Sequence, residues 1–391
     1  MKIIILTGKF GMGHMMAACA MKQHIDSCEL KADVEVIDWM DYCSPKLAEK
    51  YYSFFHFLVC KGNKFYNARY RFLENKKSDQ KPELNALFHK CFLRLLEEKK
   101  PDAIISTLPI CSQLVSRYKE ETGSRLPLIT CVTDITGHSE WINRNTDYYL
   151  VGSRTVTSRF IAKGVAPERI IESGLPVRLE FMQVHARFKI VDRKAPRQLL
   201  IMGGGLGMLP KTEDFYRGLT QLPNTAVTVI TGKNHDLYEH LRDRYPELHV
   251  LGYVQNVSDY MRQADLLITK PGGITTFEAI YGGIPILALN PTLQQELYNA
   301  QFIQEMGIGA VIRGNPLQCL DQIEKQLDYE QLDTYRQNIH KLKAQFLSCP
   351  LTEVLEMILY KNSTAETSEY QKIFHPIREE YKLNEKISFN L

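Results

Sequence analysis

The sequence predicts an α/β protein built from two doubly wound halves that face each other. Three observations carry this. Two strand–glycine turn–helix units stand far apart, one running from Lys2–Thr7 into Gly11-Met12-Gly13-His14 and the other from Leu266–Thr269 into Lys270-Pro271-Gly272-Gly273-Ile274-Thr275-Thr276. Short apolar runs alternate with helix-period stretches over most of the chain, as in parallel strands joined by helices. At 391 residues, with 44% hydrophobic and 24% charged composition, the chain is globular and longer than one ordinary core accommodates.

In the first half the strands are expected at 2–7, 33–38, 103–107, 128–132 and 148–151. Several are continuous apolar runs, which suits parallel strands covered on both faces. The second half repeats the pattern at 198–202, 226–231, 250–253, 266–269 and 284–288, with helices expected over 275–281 and 297–306. The seam falls near 177–197, a charged, aperiodic stretch that ends at Pro196. The division is therefore a first domain over 1–180, a second over 195–345, and a C-terminal helix with a loosely ordered polar tail over 346–391.

The net charge of +3 is unevenly spread, since residues 1–180 hold 26 Lys and Arg against 21 Asp and Glu. The first half is thus the half suited to an acidic surface. Nine cysteines include no C-x-x-C pair, which points to free thiols in a reducing cytoplasm and gives no zinc pattern. The apolar run at the N-terminus is broken after Leu6 by Thr7, Gly8 and Lys9, so it reads as a buried strand rather than a leader. No stretch approaches the roughly 20 apolar residues of a spanning helix, so membrane contact is expected to be peripheral.

Residues 46–77 have their own composition. Tyr51, Tyr52, Phe54, Phe55, Phe57, Phe65, Tyr66, Tyr70 and Phe72 are interleaved with Lys46, Lys50, Lys61, Lys64, Arg69, Arg71, Lys76 and Lys77, against only Glu49 and Glu74. A basic, aromatic, amphipathic segment suits the interface of an anionic bilayer, with Tyr51, Phe54, Phe55, Lys61, Lys64 and Arg69 as contacts. An ordinary helix pair packed on its own domain has the same pattern. Single-stranded nucleic acid is disfavoured by the modest overall charge and the absence of an RNA-binding motif.

The chemistry-bearing residues sit where strands end. His14 follows a turn with Gly11 and Gly13 on either side of Met12. It is either a helix-capping histidine or a general base at a cleft, its pKa lowered by the helix dipole. Asp134 follows the strand at 128–132 and reads as a base, as the orienter of His14, or as a cap. His138 and Trp141 shape an acceptor pocket or pack. Gly203, Gly204, Gly205 and Gly207 allow close backbone approach to a phosphate, without the G-K-[ST] ending of a Walker loop. At Gly272 and Gly273 a helix start offers N–H groups and its dipole to a diphosphate, and Glu278, one turn in, is placed for the two hydroxyls of a ribose. Gln295 and Glu296 form a polar pair suited to sugar hydroxyls. No D-x-D pair exists to hold Mg²⁺ or Mn²⁺.

Together, G-x-G-H at 11–14, T-D-x-x-x-H-x-x-W at 133–141, G-G-G-x-G at 203–207, T-G-K-N at 231–234, G-Y-V at 252–254 and K-P-G-G-x-T-x-x-E-A at 270–279 resemble glycosyltransferase family 28. The pattern is most similar to its processive diacylglycerol glucosyltransferases and monogalactosyldiacylglycerol synthases. The resemblance implies a GT-B architecture: two facing Rossmann-like domains, acceptor in the first and UDP-sugar in the second. It implies transfer with inversion, no cofactor and no metal, from a UDP-hexose (glucose preferred) to diacylglycerol, at the inner face of a membrane and without nucleic acid. On matching positions it implies that Glu278 binds ribose and that Tyr253 and Val254 lie beside the uracil. Gln295 and Glu296 read the hexose, Thr275 and Thr276 touch the diphosphate, and His14 and Asp134 are the catalytic pair. One departure stands out. Where the family usually has P-G-Q-E, this chain has Leu293-Gln294-Gln295-Glu296. Rivals of the same fold are an N-acetylglucosamine transferase acting on the lipid-linked peptidoglycan precursor and a soluble UDP-sugar epimerase.

Overall fold

Ile3, Ile4 and Ile5 are fully buried because strand β1 (Lys2–Thr7) lies inside a sheet with apolar layers on both faces. Ile3 and Ile5 pack with Ala18, Met21 and Ile25 of the helix Gly13–Ser27, while Ile4 and Leu6 pack with Trp39, Phe92 and Leu95 on the other side. A computed structural model describes residues 1–28, 30–74, 85–135, 137–182, 195–205, 207–210, 212–347 and 351–361.

The first sheet adds β2 (Asp33–Asp38), β3 (Ala103–Ser106), β4 (Leu128–Cys131), β5 (Tyr148–Val151) and β6 (Ile170–Glu172), in the order β2-β1-β3-β4-β5-β6. The second comprises β7 (Arg197–Met202), β8 (Thr225–Ile230), β9 (His249–Leu251), β10 (Leu266–Thr269), β11 (Ile286–Ala288) and β12 (Gly309–Val311), in the order β12-β11-β10-β7-β8-β9. Every paired strand is parallel. Each sheet therefore has a point where the strand order reverses, between β1 and β3 and between β7 and β10. Ligands of doubly wound sheets bind outside the C-terminal ends of the strands at such points. The loops there are 8–12, 107–108, 203–207 and 270–272.

All ten expected strands are present. β6 and β12, three residues each, were not expected, and β9 ends at Leu251 rather than at Tyr253. The expected seam runs largely through 183–194, and the expected tail through 362–391; both lie outside the described residues. Before that tail, the helix Leu351–Lys361 returns to the first sheet, where Leu355, Ile358 and Leu359 join the cluster of Ile3 and Ile5.

After β2 and the short helix Trp39–Cys43 come two helices that hold the aromatic segment, Pro45–Lys61 and Asn63–Glu74. Their aromatic residues divide by face. Tyr51, Tyr52 and Phe55 turn inward and pack edge-on against Phe10. Phe54, Phe57, Phe65 and Phe72 are 55–64% exposed. Tyr51 and Phe55 are thus half-buried packing residues instead of members of the outward face, because Phe10 needs cover. Lys64 and Arg69 are exposed; the side chain of Lys61 lies outside the described residues.

Candidate active site

His14 opens the helix Gly13–Ser27, and its ring is clamped from just beyond the ends of β3 and β4. Nδ1 lies 2.8 Å from the Thr107 carbonyl oxygen, just past β3, and 2.9 Å from Thr133 Oγ1, just past β4. A carbonyl oxygen only accepts, so Nδ1 carries the proton and donates it. Nε2 is left with its lone pair, the form of imidazole that acts as a base. Burial lowers the His14 pKa, while the Asp134 carboxylate and the Thr107 hydrogen bond pull it back up. Trp141, fully buried, donates Nε1–H to Asp134 Oδ2 at 3.0 Å. His138 is also buried. Its Nε2–H donates to the Tyr70 carbonyl at 3.0 Å, and its Nδ1 accepts from the Glu140 N–H at 3.2 Å. Trp141 and His138 therefore support the site from behind, with the Tyr70 ring tilted by 39° against the His138 ring at a centroid distance of 4.0 Å.

Across the cleft, the helix Gly273–Gly282 starts against the first lobe. A Cβ at Gly273 would fall 2.5 Å from the Thr133 carbonyl oxygen, so only glycine lets the two lobes approach here. Thr275 is partly exposed at this helix start. Thr276 is buried and donates Oγ1–H to the Gly272 carbonyl at 2.8 Å, so its hydroxyl is spent inside the helix. The two threonines expected to act alike are therefore separated by helical geometry, one facing out and one in. The loop 203–207 is tight at its end, where Gly207 has φ +63° and a Cβ would overlap the Thr231 carbonyl. Gly204 is exposed, and Met12 of the first lobe lies close to Gly205.

Glu278 is buried, and burial pushes its carboxyl up to about 7 even though the Arg178 guanidinium draws it down. Arg178, from the segment after β6, lies 3.8 Å from Glu278 and 2.9 Å from Glu180. Tyr253 is exposed beside Lys233, whereas Val254 packs against the core. Glu296 is held from two directions. Its Oε2 accepts from the N–H groups of Thr292 and Leu293, and its Oε1 pairs with Lys270 at 2.6 Å. Gln295 accepts a hydrogen bond from Tyr66 of the first lobe at 2.8 Å.

The candidate residues thus converge on one cleft from both switch points. Sequence reading assigned no role to Lys270, Arg178, Tyr66 or Asn67. The first was hidden inside a motif recognised for its glycines, and the others act across a hundred residues of chain or more than two hundred. Among the described residues no three His, Cys, Asp or Glu side chains gather into a metal site, and no helix is long and apolar enough to cross a membrane.

Comparison with known proteins shows the family and the fold. Residues 14–177 match the monogalactosyldiacylglycerol (MGDG) synthase family, and residues 199–348 match the glycosyltransferase family 28 C-terminal domain. The chain is 31% identical over 325 residues to a processive diacylglycerol beta-glucosyltransferase of Bacillus cereus (strain AH187), covering 80% of this chain and 82% of that one. In fold it is similar to MurG of Acinetobacter baumannii (TM-score 0.59, 13% identity, 93% and 99% of the two chains). It is also similar to UGT2 of Phytolacca americana, solved with UDP-2fluoro-glucose and pterostilbene (TM-score 0.60, 11% identity, 93% and 100%). The two facing sheets are accordingly a GT-B fold. The chain belongs to glycosyltransferase family 28, in the branch of the monogalactosyldiacylglycerol synthases and processive diacylglycerol glucosyltransferases, and is a UDP-sugar glycosyltransferase.

Proposed function

We propose that the protein transfers a hexose, glucose in preference to galactose, from its UDP-sugar to the free hydroxyl of diacylglycerol, with inversion and without a metal ion. The observation that carries this is the clamp on His14, which assigns the proton of the neutral ring to Nδ1 and leaves Nε2 with its lone pair. In this reading Nε2 takes the proton of the lipid hydroxyl as its oxygen attacks C1 of the hexose. The bond from C1 to the β-phosphate oxygen breaks, UDP departs with that electron pair, and the sugar configuration inverts. Asp134 stabilises the imidazolium that forms, in keeping with its effect on the His14 pKa. The departing charge is met by the helix start at 272–275 and by the backbone of 203–207. Glu278 takes the ribose hydroxyls, Tyr253 and Val254 the uracil, and Gln295 with Glu296 the hexose.

The acceptor is a lipid in this reading because the first lobe carries the exposed Phe54, Phe57, Phe65 and Phe72 among basic residues, a surface suited to an anionic membrane. The protein would work there as a peripheral enzyme of the cytoplasmic face.

The test is mass spectrometry of the products formed on diacylglycerol vesicles containing anionic lipid, with UDP-glucose, UDP-galactose and UDP-N-acetylglucosamine in competition and EDTA present. A hexosyl-diacylglycerol from UDP-glucose is the expected product. Transfer of N-acetylglucosamine instead would overturn the donor assignment, and a product only when EDTA is replaced by Mg²⁺ would overturn metal independence.

A further inference from the structure

The helix Gln294–Glu305 carries Gln295 and Glu296 in its first turn, yet its start is chemically incomplete within its own lobe. The capping position is Leu293, whose side chain has no hydrogen-bond acceptor. Glu296 turns back onto the N–H groups of Thr292 and Leu293, which precede the helix. The first helical N–H, on Gln294, needs another partner.

That partner comes from the opposite lobe. Asn67 Oδ1 accepts from Gln294 N–H at 2.8 Å, and Asn67 Nδ2 donates to the Thr292 carbonyl at 2.9 Å. One donor and one acceptor on the same amide thus grip both sides of Leu293, which also fixes which way the amide faces. The neighbouring residue, Tyr66, donates its hydroxyl to Gln295 Oε1 at 2.8 Å. Both sit on the inward face of the helix Asn63–Glu74. The other end of that helix is anchored in the first lobe, where Glu74 accepts from Ser139 and pairs with Lys163.

We propose that Tyr66 and Asn67 are positioning residues that cap the hexose-reading helix in trans and hold Gln295 and Glu296 in their working conformation. The inference rests on the functional reading above, and it adds that the hexose subsite is finished only when the two lobes meet. Glu278 and the glycine turns assigned to UDP belong to the second lobe alone, so UDP itself is bound without the cap. The Lys270 pair on Glu296 also lies within the second lobe and survives loss of the cap, so the effect is graded.

Full-length wild type, Asn67→Ala and Tyr66→Phe are compared by titration with UDP and with UDP-glucose, and by steady-state kinetics on diacylglycerol vesicles. Losing a cap is worth about three- to tenfold in the equilibrium it supports. The expected result for Asn67→Ala is therefore a rise of that size in the UDP-glucose Kd and KM, with the UDP Kd and the thermal midpoint within about twofold and a few degrees of wild type. Tyr66→Phe is expected to show the same split at smaller size. Equal weakening of UDP and UDP-glucose would mean general damage and would overturn the proposal, as would an unchanged UDP-glucose Kd in both variants. A wild-type chain that binds no UDP-hexose would instead bring down the functional reading itself.

Discussion

At the scale of single residues, two oxygen atoms past neighbouring strands decide the state of His14. The proton on Nδ1 is pinned by the Thr107 carbonyl, and burial keeps the ring neutral at pH values where a free imidazole begins to charge. A lowered pKa leaves the base form intact through neutrality. The plot of kcat against pH at saturating UDP-sugar, where Glu278 is already engaged, is therefore expected to stay flat from 8 down past the ordinary histidine value of 6.5, and to fall only below it. His14→Ala should lower kcat by about a hundredfold or more and remove that acid limb. An acid limb that persists unchanged in the variant would assign it to another group. The same shift has a stability counterpart. His24 is also buried, donates to the Val177 carbonyl and has a lowered pKa. For both rings the folded chain binds fewer protons than the unfolded chain. Their contribution is present above 6.5 and is lost as pH falls through the lowered values.

At the scale of elements, the helix Asn63–Glu74 has two working faces. Tyr66, Asn67, Tyr70, Leu73 and Glu74 recur at helical spacing and turn inward, leaving Phe65 and Phe72 outward. Burying one phenylalanine side chain is worth roughly 1.5–3 kcal/mol. Phe65→Ser and Phe72→Ser are each expected to weaken co-sedimentation with anionic vesicles by about tenfold or more, with the UDP affinity unchanged. Added salt should weaken the wild type further by screening the basic residues. Unaltered vesicle binding in the double variant would remove this face from consideration. The composition of the segment was plain in the sequence, but its division was not. Nothing in the spacing says that Phe10 lies against Tyr51, Tyr52 and Phe55, because that contact depends on how β1 and β2 are paired. In the same way His14, Asp134 and Glu278 were legible as candidates because they follow strand ends, where ligands of parallel sheets bind. Tyr66 and Asn67 were not, since their partners are 225–229 residues away. β6 and β12 escaped notice because three residues are too few to show a period.

At the scale of the whole molecule, the last described helix belongs to the first lobe although the chain reaches it from the second. Leu355 is fully buried among Ile3, Ile5 and Ile358. Leu355→Ala is expected to cost about 2–5 kcal/mol in a urea unfolding experiment, read as a shift in the midpoint of the first lobe. A loss below about 0.5 kcal/mol would mean that the helix is dispensable. Among the described residues the chain consequently passes between the lobes twice, once after β6 and once before Leu351. The two passages run side by side, since Phe346 packs against Gly174 and joins Leu175 and Val177 in one cluster. A single tether would let one lobe swivel about it. Two tethers set next to each other define a line, as two hinges do for a door, and the free movement left is a swing about that line. A swing about such a line would return Asn67 to Gln294 in the register seen here.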